Sequence, residues 1–409
     1  MSTDTRLRLL FLAPFPPQAH GRHGGSRALA QLLRRVAARH DVALLYLREQ
    51  SEGQVDPDIA ALCARAEAVE RPRLQRAGIL VRLLRRARLL ALLVRGVPLW
   101  VQAVDVSAFA AAAERAARDW RPDLVQLEYH VMGRYLDAVR HGDKPKVLVF
   151  YETGTDAAGR ASDNASRLLL RLDRRAWRMY ERRVLRRVQA AVVLTDADGQ
   201  RLADRGVDVV IETIPLGVEI PPEAADPLGS SPPSVLFVGN YRHDPNRDAA
   251  RRLLQDIWPH VRNRRPDAVL VLVGESPPEA LAAAAGSDVE VHGSVPAVEP
   301  YLARATVSVA PLREGGGMRV KVLEAMAAGK AVVASPLAVE GLSVADGREL
   351  LVASTDDEFG AAIVRVLDDT GLRRRLASAA RAWAVANAGP DRAAAAFGSL
   401  YRRLTGDRS

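Results

Sequence analysis

Two series of short apolar runs separated by amphipathic stretches organise this chain. The first comprises residues 7–13, 42–47, 66–70, 124–128, 147–151 and 190–194; the second comprises 235–238, 269–273, 289–292, 307–310, 331–334 and 350–352. These runs are short and rich in Val, Leu and Ala, and most are continuous where a half-buried strand would alternate, the pattern of strands covered on both faces of a parallel sheet. Helical spacing follows several of them, at about 26–39 in the first series and about 357–367, 371–387 and 392–404 at the end of the second. Strand and helix in alternation predict an α/β chain of two doubly wound, Rossmann-like units. Between the two series stands PLGVEIPPEAADPLGSSPPS, whose Pro, Gly and Ser content marks a linker. The predicted division is 1–214, a linker at 215–233, a second domain at 234–390, and a terminal helical segment at 391–409.

The most informative stretch is 311–329, PLREGGGMRVKVLEAMAAG, which follows the apolar run 307–310. Val320, Leu323 and Ala327, with Val322 and Met326, recur at helical spacing, so the reading is strand, glycine loop, helix. Gly315, Gly316 and Gly317 allow a sharp turn and a close backbone approach. A helix starting near Met318 would point free N–H groups and its positive dipole end at an anion. Arg319 and Lys321 add full charges there, and Glu324, about two turns in, is placed to accept hydrogen bonds from ribose hydroxyls. The glycines alone fit a tight packing turn equally well. A similar layout follows the first strand, PFPPQAHGRHGGS, with Gly24 and Gly25 as candidates to face a ligand. It lacks the G-x-G-x-x-G spacing of a dinucleotide site. Ligands of such sheets sit beyond the carboxyl ends of strands, where Glu128, Tyr129, His130, Glu152 and Thr153 fall.

A length of 409 residues fits two domains, each large enough for its own core. The lone Cys63 excludes an internal disulfide and any multi-cysteine metal site, and reads as a buried, inert thiol. With no apolar run of membrane-spanning length and no signal-peptide layout at the N-terminus, a cytoplasmic protein is expected. The net charge of +9 is uneven: residues 1–220 carry 36 basic and 26 acidic side chains (+10), and residues 221–409 carry 22 and 23 (−1). Much of the excess lies in 71–104, with eight arginines, no acid, and leucines between them. As a helix this is a basic amphipathic surface, suited to an anionic lipid face or an anionic acceptor; a solvated helix hairpin packed through its leucines is the plainer reading. A second arginine-rich run, 160–187, also holds Asp163, Asp173 and Glu181, and reads as an internally paired structural helix.

Taken together, FVGNYRHDPNRDAA (237–250), LVLVGE (270–275), VHGSV (291–295) and the 311–329 stretch resemble the C-terminal half of glycosyltransferase family 4, the retaining transferases of GT-B fold, over about 234–369. The resemblance implies two Rossmann-like domains facing across a cleft, a nucleoside diphosphate sugar as donor, no cofactor and no metal, and a last helix crossing back onto the first domain. Carried onto this sequence, it gives Gly24, Gly25, Gly239, Arg242, Gly315, Gly316, Gly317, Met318, Arg319, Lys321 and Glu324 as donor-binding residues. His130, Arg319 and Lys321 become the candidates for the chemistry, and SPLAVEGL (335–342) lines the cleft. Two departures stand out. Of the family's Glu-x7-Glu pair only Glu324 remains, and Asn240 and Asn246 occupy the places of its usual Arg and Lys. Phosphate neutralisation is therefore expected to fall to Arg319 and Lys321, with Arg242. The expected acceptor is lipid-linked or anionic, reached by peripheral contact with the inner face of the membrane, and no nucleic acid is expected. The rivals are a nucleotide-sugar epimerase or hydrolase of the same fold, and a non-catalytic basic protein binding membrane or nucleic acid.

Overall fold

The computed structural model describes residues 6–19, 21, 24–50, 52–72, 79–154, 167–315 and 320–406, and for 79–86 and 167 the backbone alone. The N-terminal sheet is built from β1 (Arg8–Ala13), β2 (Asp41–Arg48), β3 (Arg65–Glu70), β4 (Leu124–Glu128), β5 (Lys146–Phe150), β6 (Ala190–Val193) and β7 (Val210–Thr213). Its strands are parallel and run in the spatial order 3-2-1-4-5-6-7. The C-terminal sheet contains β8 (Ser234–Val238), β9 (Val269–Val273), β10 (Val289–His292), β11 (Val307–Ala310), β12 (Ala331–Ala334) and β13 (Leu351–Val352), also parallel, in the order 10-9-8-11-12-13. Strand order reverses between β1 and β4 in one sheet and between β8 and β11 in the other. Each reversal opens a crevice at the strands' carboxyl ends.

Every predicted strand is present to within one residue of its predicted ends. The continuous apolar runs are buried as expected: β4, β5, β6, β11 and β12 are buried at every position. The apolar pattern does not predict β7, because an edge strand with half-exposed Val210, Ile211, Glu212 and Thr213 has no run of core residues to give it away. Gly24 and Gly25 are the first two residues of a helix, Gly24–Arg39, and not part of the loop before it.

The segment between the sheets is held firmly against the second domain. Ala225 N–H donates to Ala328 O (2.9 Å) and Ser230 N–H to Arg304 O (2.8 Å). The buried Lys330 ammonium donates to Asp226 O and to Ala303 O (2.8 Å), and burial lowers its pKa to about 8. Arg373, also buried, spends its guanidinium on Val366 O, Leu367 O and Leu228 O at 2.9, 2.7 and 3.2 Å. These cations sit in the core because carbonyl oxygens replace the water they lose.

The last helix, Pro390–Thr405, returns to the N-terminal domain and inserts Phe397, Leu400 and Tyr401 into its core. Burial of each contributes about 1.5–3 kcal/mol. The turn before it is tight: a Cβ on Gly217 would lie 2.2 Å from Pro390 Cα, so only glycine fits, and Val218 N–H donates to Ala388 O (2.9 Å).

Candidate active site

The C-terminal domain carries Gly239, Arg242, Gly315, Lys321 and Glu324 of the predicted donor-binding residues on the loops and helix beyond β8 and β11. After β8, Gly239 N–H donates to Val273 O (2.9 Å), and Asn246 Nδ2 donates to Asn240 O (2.8 Å), closing the loop over the strand end. Arg242 is pulled toward the neighbouring loop, with Nη2 3.1 Å from Glu275 Oε1 and Nε donating to Ser276 Oγ (3.1 Å). Its side chain is 59% exposed. Lys321 is one residue into the helix Val320–Ala327, donates to Asn246 Oδ1 (2.6 Å), and lies 4.4 Å above the Phe237 ring. An asparagine at the place of the family's cation thus positions a cation arriving from the next helix. Gly315 has φ +111°, a conformation that disfavours any side chain. Gly316, Gly317, Met318 and Arg319 lie outside the described residues.

Glu324 faces the opposite domain. Arg27, on the Gly24–Arg39 helix, donates from Nε to Oε1 (2.9 Å) and from Nη2 to Oε2 (3.1 Å), and its Nη1 donates to Gly21 O (3.1 Å). Arg27 does not follow from the sequence reading, although one signal points to it. A cation in the first turn of a helix opposes the helix dipole, and that turn carries no acid to compensate. A second ion pair joins the domains farther along the cleft, Arg201 Nη2 to Glu340 Oε1 at 3.0 Å. Beside it Gly341, at φ +80°, approaches Thr195 so closely that a Cβ would lie 2.8 Å from its side chain. Ser335 Oγ, just before this segment, is buried and donates to Leu312 O (2.6 Å). Of the 335–342 stretch, Glu340 and Gly341 therefore stand at the domain junction.

The glycines of the N-terminal crevice mark contact. A Cβ on Gly24 would sit 2.9 Å from Val320 Cγ2 of the other domain, and one on Gly25 would sit 2.1 Å from Tyr129 Oη. Tyr129 follows β4 with φ +68°, a strained backbone for a tyrosine, and stacks on Tyr151 at 3.8 Å between ring centroids and 12° between planes. Behind the stack, Glu128 is wholly buried and accepts from Gln126 Nε2 (2.6 Å) and Tyr151 Oη (3.0 Å); Tyr401 Oη of the crossing helix donates to Gln126 Oε1 (2.5 Å). Burial raises the Glu128 pKa to about 7 against the opposing pull of both hydrogen bonds.

His130 is placed differently from the expectation for a residue near the transferring sugar. It is 0% exposed, stacked on Phe150 (5.5 Å, 8°) and edge-on to Trp177 (4.6 Å) and Trp100 (5.6 Å). In this conformation the ring is part of an aromatic core and offers no surface to a ligand. Glu152 and Thr153 are buried too. Cys63 is buried, and desolvation pushes its thiol up to about 11, as an inert thiol requires. Among the described residues no group of three or more His, Cys, Asp or Glu side chains is arranged to hold a metal ion. Among them, too, no helix is long and apolar enough to cross a membrane.

Comparison with known proteins gives concordant matches for the two halves. Residues 23–217 match the family model described as glycosyl transferase 4-like domain, and residues 232–369 match glycosyl transferases group 1. A phosphatidyl-myo-inositol mannosyltransferase of Mycolicibacterium smegmatis is 34% identical over 172 residues, 39% of this chain and 44% of the relative. The chain thus matches less than half the length of that relative. A lipopolysaccharide core biosynthesis mannosyltransferase, LpcC, of Rhizobium leguminosarum bv. viciae is 29% identical over 243 residues, 56% of this chain and 68% of the relative. Among solved structures, sucrose-phosphate synthase from Thermosynechococcus elongatus superposes with TM-score 0.70 at 19% identity, covering 98% of this chain and 99% of that one. Anabaena HepE in complex with UDP and glucose superposes with TM-score 0.65 at 14% identity, covering 98% and 100%. At these identities the superpositions speak for the fold.

Proposed function

Since the chain belongs to glycosyltransferase family 4 and has the GT-B fold, we propose that it moves a sugar from a nucleoside diphosphate sugar to an acceptor. The transfer retains the anomeric configuration and needs no metal ion. The observation that carries this reading is that Lys321, held by Asn246 from the segment after β8, and Glu324 lie on one helix beyond β11 at the C-terminal switch point, with Gly24 packed against Val320 of the same helix across the domain junction. In the proposed reaction the bond between the sugar's anomeric carbon and the diphosphate oxygen breaks. The acceptor oxygen bonds to that carbon on the same face, and its proton passes to the departing diphosphate. The protein stabilises the leaving group, orients the two substrates and excludes water. Lys321, held by Asn246, supplies positive charge for the diphosphate together with Arg319 and the N-terminal dipole of its helix. Glu324 takes the ribose hydroxyls. Arg242 is farther from this role, being engaged by Glu275.

The acceptor in this proposal is lipid-linked or anionic, met at the inner face of the membrane. The relatives' names, one a phosphatidyl-myo-inositol and one a lipopolysaccharide core mannosyltransferase, support this, as does the surface of the acceptor domain. Helix Ile79–Val94 exposes Leu89, Leu90 and Val94 at 41%, 48% and 58%, next to exposed Arg88. The neighbouring helix Arg167–Leu185 adds exposed Met179, Arg175 and Arg178. Apolar side chains among arginines match an anionic lipid surface. The side chains of Arg82, Arg85 and Arg86 lie outside the described residues.

A panel of nucleoside diphosphate sugars followed by thermal shift tests the donor, and product analysis with and without acceptor tests the reaction. Stabilisation by one nucleotide class, with donor consumption only when an acceptor is present, is the expected result. Conversion of the donor without acceptor identifies an epimerase or hydrolase. Salt-sensitive DNA or vesicle binding with no donor effect identifies a non-catalytic binding protein.

A further inference from the structure

The carboxylate assigned to the donor's ribose is already engaged by the other domain. Arg27 reaches both oxygens of Glu324 with one guanidinium, Nε to Oε1 at 2.9 Å and Nη2 to Oε2 at 3.1 Å, and the two side chains are only 24% and 20% exposed. The same guanidinium is braced from behind by Gly21 O at 3.1 Å, and Gly24 packs against Val320, four residues before Glu324. Two vicinal hydroxyls that donate side by side to one carboxylate use the same forked pair of lone pairs that the Arg27 guanidinium occupies. Ribose and Arg27 therefore compete for Glu324.

We propose that Arg27 is a latch on the donor site: in the empty protein its pair with Glu324 holds the two domains together, and an arriving nucleotide displaces it. Arg27 is a positioning residue, acting on the donor through Glu324. The displaced guanidinium stays within one helical turn of Gly24, the residue that packs against Val320 of the other domain. Placement at a helix N-terminus, where a cation is disfavoured, keeps it available for exchange. The distant pair Arg201–Glu340 supports the closed arrangement without touching Glu324. This inference rests on the donor reading above, and two independent readouts separate the two ideas.

The test uses the full chain with spin labels at Glu114→Cys and Asn263→Cys, both exposed and in opposite domains; buried Cys63 stays unlabelled. Interdomain distances are measured without ligand, and binding of UDP, GDP, ADP, CDP and dTDP is measured by calorimetry, for wild type, Arg27→Ala, Arg27→Lys, Glu324→Gln and Arg201→Ala. Loss of the latch lengthens or broadens the distance distribution in Arg27→Ala and in Glu324→Gln. The same two variants move affinity in opposite directions. Arg27→Ala binds the preferred nucleotide about two- to fivefold more tightly, the competition from a partly exposed ion pair being gone, and Glu324→Gln binds it more weakly. Arg27→Lys, which keeps the charge without the planar fork, falls between wild type and Arg27→Ala. Arg201→Ala leaves the Arg27–Glu324 pair in place, so its distance distribution and its nucleotide affinity both stay close to wild type. An unchanged distance distribution in Arg27→Ala overturns the latch. Weaker nucleotide binding by Arg27→Ala overturns the competition and makes Arg27 a donor ligand. If wild type binds none of UDP, GDP, ADP, CDP and dTDP while Arg27→Ala still shifts the interdomain distance, the donor reading is overturned and the latch stands.

Discussion

Glu128→Gln removes one titrating group from the acceptor domain with little change of shape. The wild-type carboxylate is fully buried and has its pKa raised from 4.5 to about 7 by burial, the largest influence, while hydrogen bonds from Gln126 and Tyr151 pull it down. The native state therefore holds a proton on Glu128 over a range where the unfolded chain has released it. The sign follows: the contribution is fully present below about pH 4.5 and is lost as pH rises toward about 7, beyond which the difference levels off. A displacement from 4.5 to about 7 corresponds to roughly 3 kcal/mol over that window. Glutamine keeps an oxygen for Gln126 Nε2, and the Tyr151 hydroxyl turns to accept from the new amide, so the packing survives. The assay is urea unfolding at several pH values, followed by tryptophan fluorescence, to which Trp100, Trp120 and buried Trp177 of the acceptor domain contribute. All other groups titrate alike in both proteins, so the difference between wild type and variant isolates Glu128. Wild-type stability should fall relative to the variant by about 3 kcal/mol between pH 4.5 and 7.5. Parallel curves would refute the reasoning and would mean that Glu128 is ionised or solvated in the native state.

His130→Ala should act on stability. Truncating a ring packed among Phe150, Trp177 and Trp100 costs about 3 kcal/mol, a fall in Tm of roughly 6–12 °C; loss of kcat at unchanged Tm would instead place this ring at the reacting sugar. Lys321→Ala removes the charge set by Asn246 and should lower kcat/KM by about 2–4 kcal/mol of transition-state stabilisation, and wild-type turnover would remove Lys321 from the diphosphate site. Sedimentation with anionic and neutral vesicles tests the acceptor-domain surface. Binding to anionic vesicles alone, lost at high salt and on changing Arg88, Arg175 and Arg178 to Gln, is expected at about 1 kcal/mol per arginine; no sedimentation under any condition leaves a solvated helix pair.

The strands were legible because a parallel sheet covered on both faces needs uninterrupted apolar runs, and β4 through β6, β11 and β12 are such runs. β7 was not, since an edge strand has no buried face to declare. Gly24, Gly25 and Gly315 were legible as punctuation, whereas their reasons differ: Gly315 serves the backbone angle, and the other two make room for Val320 and Tyr129. Nothing in local sequence pairs Arg27 with Glu324, 297 positions apart. Only the misfit of a cation at a helix start hints at a distant partner. Glu128 was read as a strand-end residue facing a ligand. Its raised pKa depends on burial beneath Tyr129, Tyr151 and the returning helix with Tyr401, which only the assembled fold supplies. His130, also at a strand end, packs into the aromatic core in this structure, since a strand end can point into the core as well as out of it.

The most direct test of sugar transfer at the Lys321–Glu324 site is NMR observation of the anomeric proton during turnover, with the preferred donor, a lipid acceptor extract and excess chelator. The expected result is nucleoside diphosphate release that requires the acceptor and persists in chelator, with a product that has the donor's anomeric configuration. Donor loss without acceptor, dependence on a divalent ion, or an inverted anomer would contradict it.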